Sequence, residues 1–251
     1  MNAAVTVFFL IIKVFSLYFL AVSLFGLCRR RTPEPAARLR RFAVLIAARN
    51  EESCIAGLIE SLRAQHYPPE LVDIWVLPNN CTDRTAEAAR RAGAQVLEMP
   101  ASVRSKGAAL HTAAKALLRS ARNYDAFCVF DADNEADPAF LSEMNRALDR
   151  TAIVKSRILA KNRTQAGISA CYEIYFCSAN HFLNRAREAV GLSARVIGTG
   201  FAIRRDLLEA LDGFPCRTLT EDAELYAACL CRGARIGYCE TAVTYDEEPV
   251  T

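Results

Sequence analysis

The chain is short of the residues that mark several special classes of protein. Its 251 residues include one tryptophan, three histidines, 11 glycines and 9 prolines. So few glycines and prolines exclude a collagen-like or low-complexity chain, and a hydrophobic share of 52% excludes a disordered one. The histidines His66, His111 and His181 lack metal-ligand spacing, and Cys229-x-Cys231 has no nearby second pair, so no zinc site is expected.

A strong excess of charge of either sign is also lacking. The formal net charge is +3, of which residues 1–41 carry +6, so the remaining 210 residues carry −3. Nucleic acids bind to basic surfaces, and this slightly acidic body therefore excludes them as partners. The ten cysteines are scattered through a long chain, which predicts free thiols in a reducing compartment rather than disulfides.

One long apolar run lies near the N-terminus. Residues 3–27 contain a single charged residue, Lys13, and about 20 apolar residues suffice to cross a bilayer. A cleaved signal peptide is the alternative, but it expects a basic start, a shorter run and a small-x-small cleavage site. The run is followed by the arginines Arg29, Arg30, Arg31, Arg38, Arg40 and Arg41. Because cationic flanks stay in the cytosol, we predict a transmembrane helix (3–27), a basic linker (28–41) and a cytoplasmic domain (42–251).

The rest of the chain alternates between apolar runs and helical patterns. The predicted strands are Phe42–Ala47, Leu71–Leu77, Gln95–Glu98 and Ala126–Phe130. The predicted helices are Glu52–Ala64, Thr82–Arg91 with Thr82 or Asp83 as its N-cap and Gly93 as its stop, and Lys106–Ser120. This order predicts an α/β fold with a mostly parallel central sheet covered by helices. Such sheets bind ligands at the carboxyl ends of their strands.

Polar residues follow the first two predicted strands. Residues 47–51 read Ala-Ala-Arg-Asn-Glu, and residues 78–83 read Pro-Asn-Asn-Cys-Thr-Asp. These side chains could bind a base and a ribose, or they could cap the helices that follow, since caps and turns favour the same residue types.

Two carboxylates, Asp131 and Asp133, follow the fourth predicted strand. In an extended chain they point to the same side, and together they offer the oxygen ligands that Mg²⁺ or Mn²⁺ prefers. The alternative is a turn leading to the helix at Pro138. Asp137 already supplies the cap of that helix, which leaves the earlier pair without a structural role.

Two further short motifs stand near the C-terminal end. Thr220-Glu221-Asp222 begins a helical pattern, where Thr220 can serve as an N-cap and the acids suit the helix dipole. Gly198-Thr199-Gly200 lies between apolar runs and fits either a tight turn or a close approach of the backbone to a ligand.

Together these segments resemble the family 2 glycosyltransferases, particularly the membrane-bound branch related to cellulose, chitin and hyaluronan synthases. The matching segments are Ala-Arg-Asn-Glu-Glu (48–52), Asn-Cys-Thr-Asp (80–83), Lys-Gly-Ala-Ala-Leu (106–110), Phe-Asp-Ala-Asp-Asn (130–134), Gly-Thr-Gly (198–200), Thr-Glu-Asp (220–222) and Ala-Val-Thr-Tyr-Asp-Glu-Glu-Pro (242–249). The resemblance spans residues 42–251 in the family's order.

The resemblance implies a GT-A fold, a nucleotide-sugar donor, inversion at the anomeric carbon and Mg²⁺ or Mn²⁺ as cofactor. It implies that Asp131 and Asp133 bind the metal and that Asp222 is the general base, with Glu221 beside it. Donor-binding roles follow for Ala48, Asn50, Glu51, Asn79, Lys106 and Asp131, and acceptor-side roles for Gly198, Thr199 and Gly200. The implied partners are the donor, a carbohydrate or lipid acceptor, a membrane and further membrane subunits.

Two features depart from the family pattern. Asn79 stands where the family commonly has a nucleoside-binding aspartate, although its amide oxygen can still accept a hydrogen bond from uracil. No Gln-x-x-Arg-Trp segment occurs before Thr251, so we expect residues 1–251 to bind the nucleotide and metal but to transfer sugar slowly or not at all. Two alternatives remain: a sugar nucleotidyltransferase and a catalytically silent, membrane-anchored nucleotide-binding module.

Overall fold

A computed structural model describes residues 3–27, 35–215, 218 and 220–250. The helices are α1 (Ala3–Leu24), α2 (Ile55–Arg63), α3 (Thr85–Arg91), α4 (Lys106–Leu118), α5 (Phe140–Ala147), α6 (Gly167–Ser178), α7 (Ala186–Ala189), α8 (Arg205–Ala210) and α9 (Glu221–Cys231). The strands are β1 (Phe42–Ala48), β2 (Val72–Pro78), β3 (Gln95–Val96), β4 (Ala126–Asp131), β5 (Glu135–Ala136), β6 (Ile153–Ala160), β7 (Phe201–Arg204) and β8 (Ile236–Asp246). A π-helix, Ala179–Arg185, joins α6 to α7.

The strands of the described residues form one sheet in the order β3-β2-β1-β4-β7-β6-β8-β5. The four strands predicted from the sequence, β1 to β4, are mutually parallel. Beyond β4 the sheet is mixed, because β7 runs antiparallel to both β4 and β6 while β6 and β8 are parallel. The predicted α/β sheet covered by helices is thus confirmed, and its mixed half was not foreseen.

The sheet is buried between two hydrophobic layers. Along β1, Phe42, Val44 and Ile46 face the layer formed with α2, α3 and α5, while Ala43 and Leu45 face the layer formed with α4, α8 and α9. This alternation follows from the two-residue period of a strand. Burying each large aliphatic side chain contributes roughly 1.5–3 kcal/mol to the free energy of folding. Both layers therefore stabilise the sheet and fix the positions of its strand ends.

Two predicted helix starts lie later than the sequence indicated. The predicted helix from Glu52 begins at Ile55, because residues 52–54 form a turn. The predicted helix from Thr82 begins at Thr85 with Arg84 at its N-cap position, so the predicted cap at Thr82 or Asp83 is wrong. Asp83 lies in the turn before the helix, where its Oδ1 accepts a hydrogen bond from Thr85 N at 3.1 Å. Gly93 ends that helix with φ +94°, as predicted.

Part of the basic segment is packed into the domain. Arg40 is buried and pairs with Asp149 at 2.6 Å, and Arg38 pairs with Asp125 at 3.0 Å. Residues 28–34 lie outside the described part of the chain. The buried Arg40 therefore attaches the end of the basic segment to the domain, whereas the exposed pair of Arg38 contributes little.

The N-terminal helix stands apart from both hydrophobic layers. Residues 3–27 are long and apolar enough to cross a membrane, which by itself is weak evidence that they do so. No residue of α1 is buried, and its contacts are made near its C-terminal end, where the hydroxyl of Ser23 donates to the carbonyl oxygen of Phe182 at 3.1 Å.

The cysteines within the described residues are free thiols, as predicted. Cys28 and Cys216 lie outside the described residues.

Candidate active site

The carboxyl ends of three neighbouring parallel strands lie side by side at one edge of the sheet. Ala47 of β1 pairs with Asp131 of β4, and Ala48 pairs with Pro78 of β2. The polar residues that follow these strands therefore share one edge, which is where sheets of this kind bind ligands.

Lys106 joins several parts of the chain at this edge. Its Nζ lies 2.5 Å from Oδ1 of Asp131 and donates to the carbonyl oxygen of Gly198 at 2.8 Å. The same Nζ lies 3.7 Å from Oε1 of Glu221. Lys106 is the first residue of α4, which the Ser105 hydroxyl caps. An ammonium group at a helix N-terminus, already between carboxylates, can also contact a phosphate group.

Segment 198–200 contacts the end of β4 directly. The hydroxyl of Thr199 accepts a hydrogen bond from Asp131 N at 3.0 Å and donates one to Oδ1 of Asn134. Gly200 has φ +61°, and a Cβ there would lie 2.6 Å from a hydroxyl of β6, so the position requires glycine. The close approach is thus made to a neighbouring strand, and the acceptor-side role of the segment stays a prediction.

A third carboxylate stands beside the predicted metal pair. Asn134 Nδ2 donates to Oδ1 of Asp246, the last residue of β8, at 2.6 Å. Burial raises the pKa of Asp246, and the charge of Asp131 raises it as well. The end of β8 therefore belongs to the same acidic cluster as the end of β4.

The geometry and charge of this cluster suit a divalent cation. The pKa of Asp133 is raised to about 6, first by burial and then by the charges of Asp246 and Asp131. A cation would neutralise this repulsion. Within the described residues, no three histidine, cysteine or acidic side chains are grouped closely enough to bind a metal by themselves. Mg²⁺ or Mn²⁺ held by one or two carboxylates plus substrate phosphates fits these residues.

The first two strand exits form a connected polar loop. Asn50 adopts φ +60°, and its Oδ1 accepts a hydrogen bond from Thr82 N at 2.8 Å. Glu51 N donates to the hydroxyl of Thr85 at 2.9 Å, and Cys54 Sγ donates to Glu51 Oε2 at 3.1 Å. The bonds to Thr82 and Thr85 hold the first strand exit against the second.

Asn79 is buried at the end of β2. Its N–H donates to the carbonyl oxygen of Ala48 at 2.9 Å, and its Oδ1 accepts a hydrogen bond from Asn80 Nδ2 at 2.7 Å. An amide oxygen has two lone pairs, so Oδ1 of Asn79 can accept one further hydrogen bond, from a nucleotide base.

The predicted base lies at the start of α9. Asp222 is half-buried, and its Oδ1 accepts a hydrogen bond from Ala223 N at 2.8 Å. Glu221 faces Lys106. Thr220 occupies the predicted N-cap position of α9, although within the described residues its side chain makes no capping hydrogen bond.

Two further buried residues belong to this cluster, and their roles were not predicted from the sequence. Lys155 of β6 is buried, and its Nζ donates to the carbonyl oxygens of Thr199 at 2.7 Å and Gly200 at 3.2 Å. Burial lowers its pKa to about 7. Glu248 is also buried, and its pKa is raised to about 7 by burial and by Asp246. A lysine inside an apolar strand and an acid-rich strand end were the available signals.

Comparison with known proteins gives consistent matches. The profile of the family described as "Glycosyltransferase like family 2" matches residues 40–251. "Probable glycosyltransferase YdaM" of Bacillus subtilis (strain 168) is 26% identical over 87% of this chain and 53% of its own length. "Beta-monoglucosyldiacylglycerol synthase" of Synechocystis sp. is 27% identical over 72% of this chain and 38% of its own length. The chain thus spans about half or less of these relatives.

A solved structure with the same fold is the mannosyltransferase PcManGT from Pyrobaculum calidifontis, in complex with GDP-Man and Mn²⁺. It superposes with a TM-score of 0.73 and 21% identity, over 93% of this chain and 64% of the other. This likeness confirms the GT-A fold. The narrower relation to cellulose, chitin and hyaluronan synthases stays a prediction.

Proposed function

The chain belongs to the glycosyltransferase-like family 2, and we propose that it transfers a sugar from a nucleotide-sugar donor to a hydroxyl group of an acceptor. The transfer inverts the anomeric carbon and uses Mg²⁺ or Mn²⁺. We expect a UDP-linked donor and a product that is a glycolipid or a cell-surface polysaccharide.

The observation that carries this proposal is the position of Lys106. Its ammonium group lies between Asp131, at the end of a central strand, and Glu221, at the start of α9. The side chain of Lys106 therefore contacts the strand end that is predicted to bind the donor, and it also lies close to the helix that carries the predicted base. A donor bound at the strand ends would present its anomeric carbon towards the start of α9.

Four side chains of the site have separate roles in the proposed transfer. A bound Mg²⁺ or Mn²⁺, held by Asp131 and Asp133, would neutralise charge on the diphosphate leaving group. Lys106 adds a fixed positive charge beside the same phosphates. Asp222 accepts the proton of the acceptor hydroxyl as that oxygen attacks, which requires a carboxylate within hydrogen-bond reach. The attack passes through an oxocarbenium-like state.

A membrane-associated acceptor fits the N-terminal helix. Residues 3–27 are long and apolar enough to span a bilayer, and one relative is named for the synthesis of a glucosyldiacylglycerol. We propose that α1 spans the membrane, that the domain faces the cytosol and that the acceptor is a membrane lipid or a growing carbohydrate. Partner subunits in the membrane belong to the same proposal.

The proposal is tested with the full chain in membranes. UDP and GDP are titrated with and without Mn²⁺, and UDP-sugars are then supplied with a diacylglycerol acceptor. Metal-dependent nucleotide binding is the expected result, with slow formation of a glycolipid or slow hydrolysis of the UDP-sugar, as expected of residues 1–251. Pyrophosphate release from a nucleoside triphosphate would identify a nucleotidyltransferase, and binding with neither transfer nor hydrolysis would identify a silent module; either result overturns the proposal.

A matched pair of variants ties the activity to the predicted site. Asp133→Asn should abolish turnover. Asp137→Asn should not, because Asp137 lies in the turn before α5, where its Oδ1 accepts a hydrogen bond from Ala139 N at 2.9 Å, and asparagine keeps an acceptor oxygen. The N-cap position of α5 is Ala139, so the cap predicted at Asp137 is wrong.

A further inference from the structure

An exposed helix surface lies beside α1. The surface consists of α6 and the π-helix that continues it. Its exposed large side chains are apolar or aromatic: Ile174 is 67% exposed, Tyr175 50% and Phe182 49%. Ile168 and Tyr172 extend it towards the N-terminus of α6. We call this the α6 surface.

The α6 surface carries almost no charge. Between Arg163 and Arg185 the sequence contains one residue that is charged at neutral pH, Glu173, and one histidine, His181. That carboxylate is only partly exposed, because it accepts a hydrogen bond from Ala160 N at 2.8 Å. Contiguous apolar surface of this kind on a soluble protein marks a contact with a partner or a membrane.

The end of α1 is attached to the same surface. Tyr18, Phe19 and Ser23 of α1 line a groove together with Tyr175 and Phe182. Below this groove, a Cβ on Gly26 would lie 2.6 Å from the carbonyl oxygen of His181, so the two segments are packed backbone to backbone. This packing therefore fixes the position of the α6 surface along the length of α1.

That level coincides with the edge of a bilayer. A 22-residue helix is about 33 Å long, close to the ~30 Å of the hydrocarbon core. The residues of α1 that contact the α6 surface lie in its last two turns. If the rest of α1 crosses the core, the α6 surface lies at the boundary between acyl chains and headgroups.

We propose that the α6 surface is a membrane contact, which lies in the boundary layer of a phospholipid bilayer. Tyrosines such as Tyr172 and Tyr175 suit that layer because one end of the side chain is apolar and the other is polar. The exposed Arg163 and Arg195 flank the surface and can bind lipid phosphates. The proposal rests on the insertion of α1 proposed above and is independent of the transferase activity.

This contact would place the predicted active site next to the membrane. The α6 surface follows β6, whose last residue, Ala160, pairs with Asp246 of the acidic cluster. A lipid acceptor could then reach the predicted active site while its acyl chains stay in the bilayer.

The test uses the full chain reconstituted into vesicles of phosphatidylcholine and phosphatidylglycerol. Cys171 is an exposed thiol on α6 and serves as the reporter. Its alkylation by a membrane-impermeant maleimide is followed by peptide mass spectrometry in the wild type and in Ile174→Glu and Tyr175→Glu. Leu39→Glu, at a residue 55% exposed before β1, is the matched control.

The expected result is slow alkylation of Cys171 in the wild type and in Leu39→Glu, and alkylation about tenfold faster in both α6 variants, since a glutamate opposes burial in the acyl layer. A photoactivatable phosphatidylcholine should label residues 167–182 in the wild type. Flotation after carbonate extraction reports insertion of α1 separately, and the transferase assay reports activity separately.

Three outcomes would overturn the proposal. Equal alkylation rates in the wild type and the α6 variants, in a chain that floats, would show that the surface is in water. If the protection of Cys171 from alkylation disappears when the protein is diluted in lipid, a second copy of the chain covers the surface. Failure to float would remove both the insertion of α1 and this contact, while leaving the transferase proposal to its own assay.

Discussion

The ammonium nitrogen of Lys106 lies 2.5 Å from a carboxylate oxygen of Asp131, although the two residues come from the start of a helix and the end of a strand 25 positions apart. The ion pair is partly exposed to solvent. Its contribution to stability is therefore small, and its main effect is to hold the ammonium group of Lys106 at the position predicted for the donor phosphates.

Replacing Lys106 should weaken nucleotide binding. Lys106→Gln removes a charged donor from the phosphate position and leaves Asp131 without this cation, so we expect the affinity for UDP with Mn²⁺ to fall about tenfold or more. Isothermal titration measures the change. Lys115→Gln, on the same helix but paired with the exposed Asp212, is the control and should bind as the wild type does. Equal affinities for the two variants would contradict the donor role.

Asp133→Asn should remove the response to metal. The raised pKa of Asp133 means that its charged form is disfavoured in the metal-free fold, so the amide should not destabilise the protein at neutral pH. We expect Mn²⁺ to raise the melting temperature of the wild type but not of the variant. If the variant unfolds, or if Mn²⁺ still stabilises it, the metal assignment is wrong.

Asp222→Asn should slow transfer while sparing donor binding. Asparagine keeps an oxygen that can accept the hydrogen bond from Ala223 N, so the start of α9 should be preserved. The loss of a general base lowers turnover by about 10²-fold or more. Steady-state kinetics separate kcat from KM. A loss of UDP-sugar affinity with unchanged kcat would instead assign Asp222 to the donor site.

Glu248 should make the metal-free protein less stable as pH rises. Its pKa is about 7 in the fold against an ordinary 4.5, because burial and the charge of Asp246 disfavour its ionised form. Its contribution to stability is thus fully present below 4.5 and is lost as pH rises through about 7.

Glu248→Gln should remove that dependence, on the order of 1–2 kcal/mol between the two limits, which is less than the full value of the pKa shift because solvent screens part of the interaction. Urea unfolding in EDTA at a series of pH values measures it. Glu247→Gln, at the exposed neighbouring residue, is the control. The interpretation fails if the wild type and Glu248→Gln show parallel pH profiles.

The first half of the sheet and the strand ends were predictable because their signals are local. Buried strands such as β1 are short apolar runs, and the residues after them must be polar where the chain turns at a sheet edge. The position of Asp131 after a buried strand was therefore predictable from the pattern, whereas the role of Lys106 followed only from the family resemblance. The helix starts were less predictable: Asp83 and Thr82 are both good caps by type, but the N-cap position of α3 is Arg84.

The amino-acid sequence by itself determined the apolar N-terminal run, the succession of the first four strands along the chain and the family, because each depends on periodicity or on motifs in chain order. Only the tertiary structure decided that Asn134 joins Thr199 to Asp246 and that Lys155 is buried behind them. These residues are separated by tens of positions in the chain. Their meeting depends on the antiparallel insertion of β7 between β4 and β6, which long-range packing determines and no local pattern encodes.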